Sequence, residues 1–456
     1  MKILLVSLVK EFIRANHPKK PKGTIFFRFP SLALASIVSL TPAEVEIEVV
    51  DEQISPIDFN ARVDLVAITV PTAVANRAYK IADTFRKRGI SVVLGGIHPT
   101  LNQEEALQHA DAIIVGYADT TWPQLVSDFR NKNLKQRYIE NPHCALDNLP
   151  TPRWDIFRNM GYINTNFVEA TRGCPHKCSF CSTTAFYQSI HRTRPIEHVV
   201  RDIKKVTSFP KKFIFIVDDN IIGDKEYAKK LFKALAPLKI CWISEATVDI
   251  SEDEELVKLA AESGCFGLFL GFESISVQNI KSFHKPHNKV EKYRKTISLL
   301  HKYGISIEGG FIFGSDLDDA SVFKETFEFL DKSNIDSFLS IYLTPMPGTP
   351  MYAMFKKQKR LITENYDLFD FRHMTFKPKN MTIQEVYDGV SWITMKFHSR
   401  TLVMKRILKK IGDFILHPSL RRLFGVVGLI AISLAFRKRI KDYAADGTFP
   451  KAFRNI

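Results

Sequence analysis

The chain reads as an α/β protein in three parts: a doubly wound parallel sheet, a second βα series of barrel type, and a helical carboxyl-terminal region. Three observations predict this. Apolar strand-like runs alternate with amphipathic stretches over the first ~145 residues, as in a parallel sheet. A second set of runs recurs every ~25–40 residues, as in a full or partial (β/α) barrel. Beyond about residue 360 the alternation gives way to helical periodicity. At 456 residues the chain is roughly three times the ~150-residue prior for one domain. Its composition, 45% apolar and 25% charged, excludes long disorder and a small disulfide scaffold.

In the first series the runs are 2–9, 45–50, 63–70, 90–94 and 112–116. The opening MKILLVSLVKEF lacks a small-residue cleavage site and continues into Lys and Arg, so it reads as a buried strand and not as a signal peptide. Segment 75–88 carries Ala78, Ile81, Ala82 and Phe85 at helical spacing. Open sheets of this kind bind ligands beyond the carboxyl ends of their strands. The loops to watch are therefore Val70-Pro71-Thr72, Gly95-Gly96-Ile97-His98-Pro99 and Gly116-Tyr117. The same glycines could equally do no more than close tight turns. A proline-punctuated linker, 146–165, follows; the second series has its runs at 213–217, 240–243, 267–270, 305–312 and 337–343. The expected domains are 1–145, 166–360 and 361–456.

Three of the six cysteines fall within eight residues, as Cys174-Pro-His-Lys-Cys178-Ser-Phe-Cys181. Three thiolates on one short loop can hold three irons of a [4Fe-4S] cube and leave the fourth open to an outside ligand. A closed zinc site completed by His176 is the alternative, although zinc ligands usually come as two separated pairs. Cys144, Cys241 and Cys265 lie singly and read as buried, unreactive thiols in a reducing cytosol.

With Phe180 before the last cysteine, this loop resembles that of the radical SAM superfamily, where it follows the first barrel strand. The resemblance implies that Cys174, Cys178 and Cys181 bind the cluster and take part in catalysis. It places Asp218 and Asp219, at the end of the next strand, near the methionyl amino group of S-adenosylmethionine (SAM). Glu245 is implied near the ribose, Gly271-Phe-Glu273-Ser274 as the fifth-strand motif, and Gly309-Gly310-Phe-Ile-Phe-Gly314 as the adenine-side strand. The whole chain is similar to the subgroup with an amino-terminal, Rossmann-like cobalamin-binding-type domain. The carriers are Ala78-Tyr79-Lys80, Leu94-Gly-Gly-Ile-His-Pro-Thr100, Leu149-Pro-Thr-Pro and Tyr342-Leu-Thr-Pro-Met-Pro-Gly-Thr-Pro350. Thr72, Gly95, Gly96, His98 and Gly116 are then the implied cobalamin contacts. The chain departs from the pattern in having no D-x-H-x-x-G, so no histidine is nominated as a cobalt ligand, and in reading Gly116-Tyr-Ala-Asp119 where an acidic turn is usual.

The implied chemistry is one-electron cleavage of SAM and modification of an unactivated carbon, with a methyl group carried on cobalt where cobalamin is bound. Radical cyclisation or C–C bond formation without methyl transfer is the alternative reaction, and an iron–sulfur carrier or sensor the alternative class. A low-potential electron donor is expected as partner.

The charge supports one further reading. The formal +15 is concentrated in 400–456, with 13 Lys/Arg against 3 Asp/Glu, which describes a basic tail on a nearly neutral protein. In 401–416, Leu402, Val403, Ile407, Leu408, Ile411, Phe414 and Ile415 share a stripe, with Lys405, Arg406, Lys409 and Lys410 opposite. That is the pattern of a helix at an anionic membrane surface, and equally of a core helix. The apolar run 423–436, at 14 residues, is short of the ~20 needed to span a bilayer. The cations alternate with aliphatics and not with stacking aromatics, so no nucleic acid is expected. A tail resting on the inner face of a membrane would suit a hydrophobic substrate such as a hopanoid or another lipid.

Overall fold

The computed structural model describes residues 1–9, 30–157, 160, 162, 166–206, 213–418, 422–430 and 433–434. The expected 423–436 run is thus described in part, and Arg421 and Arg437-Lys438-Arg439 lie outside the described residues. The chain divides into two compact units that do not follow chain order. The first comprises 1–167, 180–206 and 345–375, the second 168–179, 207–344 and 376–456.

In the first unit, β1 (Lys2–Ser7), β2 (Glu46–Asp51), β3 (Leu65–Thr69), β4 (Ser91–Gly95), β5 (Ala112–Val115) and β6 (Arg137–Ile139) form one sheet in the order β2-β1-β3-β4-β5-β6. Every neighbouring pair is parallel. Near-continuous aliphatic strands are what a sheet covered on both faces requires. Leu4, Val6, Val66, Ile68, Val92 and Leu94 pack on Ala78, Ile81, Ala82 and Phe85 of the helix Ala75–Lys87. Ile3, Leu5, Leu65 and Val93 pack on the other side against Leu34, Trp122 and Leu125. Each fully buried aliphatic contributes about 1.5–3 kcal/mol. The order reverses between β1 and β3, which opens a crevice at their carboxyl ends. Strand β6, three residues with only Tyr138 buried, is too short for its periodicity to be legible.

The second series begins with β7 (Phe167–Val168); the two-residue strands β8 (Thr171–Arg172) and β9 (Arg192–Thr193) flank the cysteine loop in sequence. Then come β10 (Phe213–Ile216), β11 (Cys241–Ala246), β12 (Cys265–Glu273), β13 (Ser306–Phe313) and β14 (Ser337–Tyr342). The sheet runs β14-β13-β12-β11-β10-β7, each strand beside its predecessor, as in a partial barrel. Helices Lys225–Leu235, Glu254–Glu262, Tyr293–Lys302 and Ser321–Ser333 return the chain between strands. Asp224 and Asp253 start the first two by accepting from the Tyr227 and Leu256 N–H groups, which otherwise lack a partner in a first turn. Alternation along β11 and β12 sends Trp242, Leu268, Leu270 and Phe272 outward against these helices. It leaves Ile243, Glu245, Phe269 and Gly271 on the inner side.

The carboxyl-terminal part of this unit is helical, as expected: Ile383–Phe397, Arg400–Leu416 and the stretch 422–430. Among the described residues no helix is long and apolar enough to cross a membrane. Lys410 donates to Ser306 Oγ at 2.8 Å, and the Phe424 ring lies 6.3 Å from Phe213 and 5.7 Å from Phe266. All three partners stand in the first two residues of their strands, so the tail closes the amino-terminal end of the barrel. Loops at the opposite, carboxyl-terminal end carry the candidate site.

Candidate functional site

Three consecutive residues at the end of β10 hold the segment that leads into the cysteine loop. The Asp218 carboxylate accepts from Ala170 N–H (2.8 Å) and Thr171 Oγ1–H (2.9 Å). Asp219 accepts from Gly173 N–H at 3.1 Å, and the Asn220 amide donates to Cys174 Sγ at 3.7 Å. Farther on, Ser179 N–H donates to Phe283 C=O (3.0 Å), and the His176 ring stacks on His287 at 3.5 Å between centroids. The loop is clamped from both sides before any ligand arrives. Asp218 is 2% exposed, and burial pushes its carboxyl up to about 7. Its oxygens are engaged by the loop, so its placement is that of a brace; Asp219, half-buried, is the acid left at the surface of this end.

Glu245 stands on the inner side of β11, accessible yet walled by protein. Its carboxyl is pushed up to about 7, first by desolvation and then by the charges of Asp219, Glu308 and Glu273, against an opposing Lys285. Acids from four successive strands or strand ends thus converge, a field that attracts a cationic ligand.

The fifth-strand motif has a packing explanation. The β12–β13 register shifts between Gly271 and Glu273, and Glu273 takes a left-handed backbone with φ +63°. Such a bulge frees carbonyls from the ladder, and each needs a partner. Lys285 Nζ and Asn288 Nδ2 donate to Gly271 C=O (3.0 and 2.8 Å); Asn288 Nδ2 and Tyr293 Oη donate to Phe272 C=O (2.9 and 2.8 Å). Lys285 also forms a buried ion pair with Glu273. A Cβ at Gly271 would overlap Glu273 Oε1 and stand 2.8 Å from Lys285 Nζ, so glycine here is what admits the pair. At Gly310 a Cβ would lie 2.7 Å from the Phe269 ring, which covers that strand.

Phe180 and Cys181 are counted with the first unit, where Cys181 immediately precedes the helix Ser182–Tyr187. Cys178 is buried and Cys174 half-buried in the second. Among the described residues no three His, Cys, Asp or Glu side chains converge as a single tetrahedral ion requires. A cuboidal cluster asks for something else, one thiolate per iron at separate corners, and the three-thiol donor set fits that demand. Cys241 and Cys265 are buried as expected, whereas Cys144 is half-buried.

In the first unit the three watched loops are stitched together. Val70 N–H donates to Gly95 C=O (2.8 Å), and His98 N–H to Val70 C=O (3.1 Å). Thr100 Oγ1 donates to Gly96 C=O (2.8 Å) and accepts from Gly116 N–H (2.9 Å). Gly96 has φ +101°, with its Cβ direction 3.2 Å from Val70 N. Thr72, buried, begins the turn after β3. His98 has no exposed surface: its Nε2 lies 3.0 Å from Tyr79 Oη, its ring is edge-on to Tyr366, and burial pushes its pKa down to about 4. It shapes the loop from behind. Buried and engaged in this way, His98 offers no nitrogen to a corrinoid at these strand ends. Tyr366, Lys285 and Asn288 escaped the sequence reading, for each lies in a segment without periodicity or a metal-type spacing.

Comparison with known proteins supports two domains. Residues 168–330 match the radical SAM superfamily model and residues 23–126 the B12 binding domain model. The chain is 35% identical over 367 residues to the bacteriochlorophyllide d C-8(2)-methyltransferase of Chlorobaculum tepidum, covering 76% of this chain and 80% of that one. It is 30% identical over 390 residues to the C-12(1)-methyltransferase of the same organism, covering 83% and 85%. The fold is similar to that of the radical SAM methyltransferase TsrM from Kitasatospora setae with cobalamin and a [4Fe-4S] cluster bound. There the TM-score is 0.70 at 14% identity, over 96% of this chain and 99% of that one.

Proposed function

The chain belongs to the cobalamin-binding family of radical SAM enzymes, and from that membership we propose that it transfers a methyl group to an unactivated carbon of a bulky hydrophobic substrate. The cofactors that go with the two domains are SAM, a [4Fe-4S] cluster and cobalamin. Together they supply one-electron cleavage of SAM and a methyl group that needs no deprotonated carbon to receive it.

Cys174, Cys178 and Cys181 are the residues that would hold the cluster. Asn220 orients the first of them, and the Asp218 and Asp219 contacts fix the approach of the loop, so that the thiolates are positioned in advance. Asp219 and Glu245 face the end of the barrel where a cationic sulfonium nucleotide would lie, with Gly271, Glu273 and Gly310 around it; Phe180 keeps the role that the cysteine-loop motif implies. Thr72, Gly95, Gly96 and Gly116 line the strand ends proposed for cobalamin, and His98 supports them. The observation that carries the reading is the convergence of acids around a cysteine loop locked to the end of β10. A low-potential electron donor completes the system.

The two methyltransferase relatives act, by name, on bacteriochlorophyllide d, which makes a chlorin macrocycle the first substrate to try and a hopanoid or isoprenoid lipid the second. Reconstituted protein, given SAM, a reductant and each substrate, is expected to form methylated product with S-adenosylhomocysteine and 5′-deoxyadenosine. Formation of 5′-deoxyadenosine and a cyclised or rearranged product without methylation would replace methyl transfer by the other radical reaction. Formation of neither nucleoside would remove the enzyme reading.

A further inference from the structure

The amphipathic helix Arg400–Leu416 turns Arg406 and Lys410 inward, while Lys405 and Lys409 stay exposed at its flank. Lys410 Nζ pairs with Asp336 Oδ1 at 2.9 Å, and Lys405 with Asp331 at 3.6 Å. The Arg406 guanidinium sits 3.8 Å above the Phe397 ring and donates to Phe397 C=O. Asp336 is fixed in turn by His301 Nε2 (2.9 Å) and Ile307 N–H (2.8 Å), so the helix is bolted to the base of the barrel through its polar side. The opposite side is aliphatic and, among the described residues, uncovered: Met404, Leu408, Ile411 and Ile415 follow at i, i+4, i+7 and i+11, with Leu408 61% and Ile415 69% exposed. The next segment repeats the arrangement, burying Val426 and Leu429 while Leu423, Val427 and Leu434 stay exposed. Both helices reach Ser306: Lys410 hydrogen-bonds it, and a Cβ on Gly425 would lie 3.0 Å from its Oγ.

We propose that these two stripes form a docking surface for an anionic phospholipid bilayer, with the aliphatic side entering the acyl boundary. The charge selects that occupant. Among the described residues Arg400, Lys405 and Lys409 stay exposed along the same helix, so two copies brought together at this surface repel, while an anionic leaflet attracts it. Met404, Leu408, Ile411 and Ile415 themselves present only aliphatic or thioether atoms, which suits the non-directional interior of a bilayer. The surface lies at the amino-terminal end of the barrel strands, away from the loops of the candidate site, so docking leaves that end of the unit open. The proposal is independent of the reaction catalysed.

The test is flotation of the full-length protein with vesicles of phosphatidylcholine alone or mixed with phosphatidylglycerol. Wild type is expected to float with the anionic vesicles, and Leu408→Glu/Ile415→Glu to lower the partition coefficient at least about tenfold. Both positions are exposed, so the urea midpoint of the double variant should match wild type. Sedimentation velocity without lipid is run on both proteins. A dimer that the double variant dissociates would make the surface a contact between copies and overturn the proposal. So would binding gained only on deletion of residues 435–456, which would mark the chain's own terminus as the cover. Absence of wild type from the floating fraction, or equal binding of wild type and variant, would overturn it directly.

Discussion

Replacing Gly271 by alanine should destabilise the protein by splitting the Glu273–Lys285 pair. Gly271 is not among the residues with positive φ, so the methyl group itself is the perturbation. That methyl would overlap the carboxylate and crowd the ammonium, whose stems are held by the bulge and by the Gly271 carbonyl. With Glu273 8% and Lys285 7% exposed, solvent and salt screen the pair little. Breaking a buried pair costs about 3–5 kcal/mol, whereas one extra methyl in a core costs about 1–3 kcal/mol. A double-mutant cycle separates the two. In a Glu273→Leu/Lys285→Met background the methyl meets apolar atoms, and the cost of Gly271→Ala should fall by about 2 kcal/mol or more. Urea unfolding of the cofactor-free protein measures both differences without reference to catalysis. An identical cost in the two backgrounds would refute the idea that this glycine exists to admit the ion pair.

Three further outcomes are expected. The Glu245 carboxyl, raised from 4.5 to about 7, keeps a proton that the unfolded chain gives up, so its contribution to stability is lost as pH rises through that window. Glu245→Gln should flatten the decline in urea midpoint between about pH 5 and about pH 7.5, and parallel curves would contradict the acidic wall. Cys178→Ala should lose cluster iron and cleave no SAM, and retention of wild-type cleavage would dismiss the three-thiol account. His98→Gln should leave corrinoid content and the cob(II)alamin EPR spectrum unchanged while costing about 1–2 kcal/mol through the Tyr79 contact; loss of a nitrogen splitting on cobalt would show that this imidazole reaches the metal.

Much of this was legible in the residues. Aliphatic runs such as Ile3–Val6 and Leu65–Ile68 announce buried parallel strands because every position faces a core, whereas the spacing of the three cysteines left an open-cornered cluster and a closed zinc site as alternatives. Pairing across long loops was not legible. Lys285, 12 residues beyond Glu273, carries no periodic signal, and its role emerges only once the bulge frees the Gly271 carbonyl. Asp218 shows the converse: a strand-end acid reads as a ligand, but its neighbours in space turn it inward to Ala170 and Thr171. The tail's amphipathic pattern was plain, while the side it presents to the barrel depended on Asp331 and Asp336, about seventy residues earlier in the chain.

The most direct test of the central claim is one anaerobic sample of the full-length protein analysed for iron, sulfide, corrinoid and zinc, then supplied with SAM and a reductant. A [4Fe-4S] cluster and a corrinoid in the same chain, with 5′-deoxyadenosine formed, is the result expected. Zinc alone, or a cluster that leaves SAM intact, would contradict it.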